Sequence, residues 1–137
     1  DVIATDQAPH HVDEKAVEFD SAPFGIVGLE TVVPLVLDRL LHTGLLSCSR
    51  IIELMAVNPA RILGLEPCGL TVGKVADLTV LAPDAATEIS ASTFRSLGHN
   101  TPFDGWNLRG SVAATIVAGR TVYANANVQG ASAFEHC

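Results

Sequence analysis

Asp1-Val2-Ile3-Ala4-Thr5-Asp6-Gln7-Ala8-Pro9-His10-His11 is the stretch on which the reading of the fold turns. From Asp1 to Thr5 it is apolar and rich in β-branched residues, as a buried strand should be. Pro9 then forbids continuation as strand or helix. The chain stays polar as far as Gly28, with Pro9, Pro23, Gly25 and Gly28 as punctuation. A loop of about twenty residues is uncommon in a compact domain and usually serves as a lid or binding loop. Asp6 stands where the strand ends and that loop begins, the end at which β/α folds collect ligands and catalytic groups.

Working outward, Leu29, Val32, Val33, Val36, Leu40 and Leu41 recur at helical spacing, and Gly44 supplies a stop. Pro34 falls in the first turns of that helix, where a missing N–H costs least. Ser47 or Ser49 can cap a second helix carrying Ile51, Ile52, Leu54 and Met55. Asn58-Pro59 reads as an N-cap and first helical position, opening a short helix that closes at Gly64. Beyond Leu65 the composition turns towards strand. Gly69, Gly73 and Pro83 bracket a strand from Ala76 to Leu81, and Phe94 to Arg109 is turn-rich. Val112–Val117 and Thr121–Tyr123 flank Ala118-Gly119-Arg120, a hairpin signal. One strand followed by helices and then a β-rich region gives an α/β chain in two parts. Residues 1–66 resemble the end of a (β/α) array, and residues 67–137 a separate small sheet. A closed eight-fold barrel needs about 250 residues, so this chain is expected to be a fragment of a larger body.

Composition narrows the class of function. The chain has 137 residues, 48% hydrophobic and 17% charged, which excludes a disordered tail. Net charge is −7 with only 8 Lys and Arg, so no basic face exists to neutralise phosphates, and nucleic acid is excluded as a partner. No apolar run reaches the length of a membrane span, because Glu30 and Pro34 interrupt Ile26–Leu37. Cys48, Cys68 and Cys137 are odd in number and lack Cys-x-x-Cys spacing, which suits reduced thiols in a cytoplasmic protein. Dinucleotide, P-loop and serine-hydrolase signatures are absent.

The residues able to do chemistry lie in the polar loop. Asp6 can hold a divalent metal and take a proton, or it can simply cap the turn. Neighbouring His10 and His11 make a poor chelate for zinc, and His42, His99 and His136 are isolated. His10 is better suited to donate to an anionic substrate, one short turn from Asp6. Pro23-Phe24-Gly25 could bring bare backbone close to a small ligand, or form a turn into the helix with Phe24 packed beneath it. Asp13, Glu14, Glu18 and Asp20 read as a solvated face, and Arg61 and Arg109 as surface or structural arginines.

Ala4-Thr5-Asp6-Gln7-Ala8-Pro9-His10, followed by Ala22-Pro23-Phe24-Gly25-Ile26-Val27-Gly28-Leu29-Glu30-Thr31, resembles the C-terminal part of bacterial class I dihydroorotases. Asn58-Pro59-Ala60-Arg61-Ile62-Leu63-Gly64 and Asn100-Thr101-Pro102-Phe103 extend the match. Gly73-Lys74-Val75-Ala76-Asp77-Leu78 is similar to a broader amidohydrolase-superfamily signature. Gln7 departs from the pattern, standing where many class I sequences place His.

The resemblance implies a (β/α)8 metal-dependent hydrolase barrel with a β-sandwich appendage, entered here at its eighth strand. It implies reversible zinc-dependent hydrolysis of dihydroorotate to N-carbamoyl-L-aspartate, in pyrimidine synthesis, by a homo-oligomer. Asp6 would be a zinc ligand and the general base, taking a proton from the attacking water and returning it to the leaving nitrogen. His10 would bind the substrate carboxylate, and the backbone at Phe24 and Gly25 would touch the ring. The family's remaining metal ligands lie on earlier strands, so the 137-residue chain alone is expected to be inactive. Two alternatives remain open. One is a non-catalytic dihydroorotase-like subunit scaffolding aspartate transcarbamoylase; the other is a different cyclic amidohydrolase of hydantoinase or allantoinase type.

Overall fold

The first residues run extended, but they form no strand. In the computed structural model, which describes residues 1–66 and 69–134, no described residue lies alongside Asp1–Thr5 to form a ladder. The segment is tied to the second helical rod, where the Ile3 N–H donates to the Leu54 carbonyl (3.1 Å). Val2 is 41% exposed. The expected buried strand is therefore corrected. β-branched sequence makes a strand only against a neighbouring strand, and the described residues supply none.

The loop contains one short helix, α1 (Val12–Lys15), capped by His11. The predicted amphipathic helix is α2 (Val32–Val36), which continues without a break as a π-helical turn, Leu37–Leu41. Pro34 occupies its third position, where no intrahelical donor is needed. The second helical rod is α3 (Cys48–Ile52), a π-helical turn Glu53–Val57, and α4 (Asn58–Ile62). Ser47 caps it as expected, accepting from the Arg50 N–H (3.2 Å). Asn58 does not open a new helix: it is itself helical (φ −66°, ψ −44°), and its amide donates to the Asp1 carbonyl (2.8 Å). The π turn explains how Pro59 is tolerated. A proline ring clashes with the carbonyl four residues back, and the wider turn before it relieves that contact.

Strands β1 (Leu78–Glu88), β2 (Asn107–Val117) and β3 (Arg120–Ala124) form an antiparallel sheet in that order. The β2–β3 hairpin turns at Ala118-Gly119, as the sequence indicates. Here the Ala118 N–H donates to Asp77 (2.7 Å) and the Gly119 N–H to the Ala76 carbonyl (3.0 Å). β1 starts two residues later than expected and passes through Pro83 instead of ending before it. The pairing breaks register between Ala82 and Ala86, and a bulge there absorbs the proline. Within the described residues this one sheet faces helices, not a second sheet, so the chain by itself builds no sandwich. The expected boundary after Glu66 falls beside Pro67 and Cys68, which with Glu135, His136 and Cys137 lie outside the described residues.

Helix and sheet share the core. Leu37 is 2% exposed and presses on Gly110 of β2, where an added Cβ would lie 2.4 Å from that of Leu37. Asp38 accepts from the Arg109 N–H (2.8 Å), and His42 Nε2 donates to the Pro83 carbonyl (2.8 Å). Val27, Val36, Leu108, Ala113 and Ala114 are also buried. No helix among the described residues is long and apolar enough to cross a membrane.

Candidate active site

Two limbs of the polar loop are laid side by side. The Ala8 N–H donates to the Ile26 carbonyl (3.0 Å), and an added Cβ on Gly28 would lie 3.1 Å from the Thr5 Cβ. Gln7 explains part of this pairing. Its Oε1 accepts from the N–H groups of Gly28 (2.6 Å) and Leu29 (3.1 Å), just before α2. The departure at position 7 thus has a structural use: its side-chain carbonyl satisfies donors that precede the helix.

His10, Phe24 and Gly25 are brought together. The His10 Nε2–H donates to the Phe24 carbonyl (2.9 Å), and Nδ1 faces Glu14 Oε2 (3.3 Å). Both ring nitrogens therefore meet acceptors. Gly25 has φ +116°, and a Cβ there would lie 2.4 Å from the Ala8 Cβ, so the limbs approach this closely only because position 25 has no side chain. The alternative reading of Phe24 as a residue packed beneath the turn is corrected: it is 94% exposed. Its carbonyl is committed to His10, and the carbonyl of its neighbour Gly25 accepts from Asn100.

Asp6 is linked to this cluster through Gln7 and Ala8, and its own backbone is left-handed (φ 47°). A non-glycine residue in that region is uncommon, although Asp tolerates it better than most. Its carboxylate is exposed, and no described residue hydrogen-bonds to it. Among the described residues no group of three or more His, Cys, Asp or Glu is placed to hold a metal.

Two contributors escaped the sequence reading. Glu14, taken as part of a solvated face, accepts from the His11 N–H (3.1 Å) as well as meeting His10. The His11 backbone bond and then the His10 side chain hold its carboxyl below the usual range. The capping pattern His11-x-x-Glu14 was the available signal. Asn100 is the other. Its Nδ2 donates to the carbonyls of Gly25 (3.0 Å) and Ala8 (3.4 Å), and its Oδ1 accepts from the His10 N–H (3.3 Å). Its own carbonyl accepts from the Val27 N–H (3.0 Å). Lys15 completes the frame, donating to the Pro23 carbonyl (2.6 Å).

The arrangement offers an exposed carboxylate at the loop entrance, and an imidazole and a bare backbone at its closed end. That combination can move a proton and hold a small anionic ring. Comparison with known proteins gives the family. The Amidohydrolase family matches residues 2–122. A dihydroorotase of Geobacter metallireducens is 49% identical over 123 residues, covering 90% of this chain. One of Pelobacter propionicus is 50% identical over 123 residues, again covering 90% of the chain. The chain spans 29% of the length of either relative. Among solved structures, the L-hydantoinase (dihydropyrimidinase) of Arthrobacter aurescens aligns at TM-score 0.72 and 38% identity, over 78% of this chain and 24% of its own.

Proposed function

The chain belongs to the amidohydrolase family, and on that premise we propose that it is the closing part of a dihydroorotase that hydrolyses the cyclic amide of dihydroorotate, reversibly, to N-carbamoyl-L-aspartate. In this reading residues 1–66 supply the last strand, loop and helices of a (β/α)8 barrel, and residues 67–137 a β-rich companion domain. Asp1–Thr5 then pairs with strands contributed by the rest of the protein. Ile52, Ile62, Leu63 and Leu65, all at least 48% exposed here, are covered in the same way.

Zinc fits the loop as one ligand's worth of a site. Asp6 offers a carboxylate without a competing partner, and the other ligands must come from outside the described residues. When bound, the metal supplies Lewis-acid activation of water. Asp6 takes the proton from the attacking water and returns it to the ring nitrogen as the C–N bond breaks. His10 presents a ring N–H to the substrate carboxylate, which replaces the exposed Glu14 carboxylate at Nδ1. The Phe24–Gly25 backbone lies against the ring. Homo-oligomerisation and association with aspartate transcarbamoylase belong to the same reading.

The observation that carries it is the placing of His10 against the Phe24 carbonyl, four residues along the chain from Asp6, because a ring carboxylate is what separates dihydroorotate from hydantoin and allantoin. The test is a panel of those cyclic amides on the full-length protein. Dihydroorotate should show the highest kcat/KM. A preference for hydantoin, in keeping with the A. aurescens likeness, would replace the substrate. Absence of turnover on the whole panel would favour the scaffolding subunit.

A further inference from the structure

The turn-rich stretch from Phe94 to Phe103 lies far from the loop in sequence but against it in space. Glu30, two residues before α2, accepts from the N–H groups of Arg95 (3.1 Å) and Ser96 (2.9 Å) and from the Ser96 hydroxyl (2.9 and 3.0 Å). Gly98 is buried against Pro9, where an added Cβ would come within 2.9 Å of the proline Cβ. Asn100 then reaches both limbs of the loop at once, through Ala8 and His10 on one and Gly25 and Val27 on the other. All three side-chain bonds go to backbone groups, so they fix where the loop runs and not merely where one side chain points.

We infer that Asn100 is a positioning residue for substrate recognition: it clamps the two limbs so that His10 and the Gly25 backbone face one ligand together. The inference rests on the dihydroorotase reading for its substrate, but not for the clamp itself. The Asn100 side chain bonds to loop backbone. It acts through His10, ninety residues away in sequence. An amide suits the task because its donor and acceptor ends satisfy carbonyls and an N–H simultaneously. Aspartate offers no donor for the carbonyls of Ala8 and Gly25, and alanine offers nothing.

The test is made on the full-length protein. Asn100→Ala should raise KM for dihydroorotate about tenfold while kcat changes less than about threefold. In a His10→Ala background the same substitution should add almost nothing to KM, because the group it positions is gone. An unchanged KM in the single variant, or full additivity in the double variant, overturns the inference. Hydrogen exchange provides a readout independent of substrate, since the His10 amide should exchange about tenfold faster in Asn100→Ala. Unaltered exchange also overturns it. Should the alanine variant not accumulate, Asn100→Asp keeps the acceptor for His10 and must still raise KM through the lost donors. Wild-type protein without dihydroorotate turnover would defeat the proposed function, while the exchange measurement would still judge the clamp.

Discussion

Replacing Gly25 by alanine asks the most of the proposed site. The added Cβ would stand 2.4 Å from the Ala8 Cβ and 3.2 Å from the Ala8 carbonyl oxygen. Carbon atoms settle at about 3.5–4.0 Å, so the limbs must separate by more than about 1 Å. That movement loosens the Ala8–Ile26 bond and the Asn100–Gly25 bond, both 3.0 Å. Each contributes about 1 kcal/mol. Holding alanine at φ +116° adds about 1–3 kcal/mol. Together, about 3–5 kcal/mol now opposes the closed loop. A displacement of about 1 Å in a positioning element costs about a hundredfold in rate, so kcat/KM for dihydroorotate should fall by about that factor. Gly44→Ala is the control, since Gly44 also has positive φ (+75°) but no atom within 4 Å of the added Cβ. It should strain its own turn and leave kcat/KM unchanged. Wild-type kcat/KM in Gly25→Ala, measured by steady-state hydrolysis, would refute the close approach of the two limbs.

Asp6→Asn nearly preserves shape and removes the base, so kcat should drop by about 10²–10⁴-fold in stopped assays of the full-length enzyme. His10→Ala should act mainly on KM, by about 10- to 100-fold for a lost charge-assisted bond, and the loss should shrink for rings lacking a carboxylate. Gly110→Ala drives a Cβ to 2.4 Å from that of Leu37 at φ +129°, and should destabilise by about 2–5 kcal/mol in urea titration. Leu37→Ala in the same chain should not rescue it, because alanine keeps the Cβ that lies 2.4 Å away. Glu30 tests the acid side. Burial opposes its ionised form, yet hydrogen bonds from Ser96 and Arg95 outweigh it and leave the folded carboxyl below its ordinary 4.5. A depressed folded value means the contribution is present above pH 4.5 and lost as pH falls through the folded value. Glu30→Gln should therefore cost about 1 kcal/mol at pH 7, after discounting for partial exposure. It should also flatten the fall in stability below pH 4.5, followed by urea midpoints.

What the sequence made legible was whatever is governed by neighbours along the chain. The amphipathic spacing from Leu29 gives α2, Ser47 gives the cap of α3, and Ala118-Gly119 gives the hairpin, because each signal acts within a few residues. The polar run from Asp6 to Gly28 marked the candidate loop by length and by proline and glycine alone. Most of the failures are long-range. Asp1–Thr5 has strand composition but no partner strand among the described residues. Pro83 would end a strand judged in isolation, whereas pairing with β2 carries β1 past it through a bulge. Asn58-Pro59 looked like a helix start because the π turn that absorbs the proline has no sequence signature. Within the candidate site, His10 and Gly25 were singled out from their own chemistry, and the structure brings them to the same end of the loop. Asn100 was visible only as one residue of Asn-Thr-Pro-Phe, with nothing in that tetrapeptide to indicate which backbone it binds.

The long-range contacts are also what the loop depends on for order. α1 has four residues and buries none of them, far short of the length at which a helix holds itself together in water. Its neighbours are little better, since the loop exposes Phe19 (92%) and Phe24 (94%) and gains little from apolar burial. Ordering such a segment costs about 1–2 kcal/mol per residue in backbone entropy. Local bonds such as Lys15 to Pro23 and His10 to Phe24 tie the loop to itself, so they move with it and do not fix its place. Placement comes from groups anchored elsewhere: Gln7 against the entry to α2, and Asn100 on the strap that Glu30 holds. A site whose ligand contacts sit on a poorly buried loop is then as precise as the strap behind it. Changes between Phe94 and Asn100 should therefore be felt as altered substrate affinity before they are felt as altered fold.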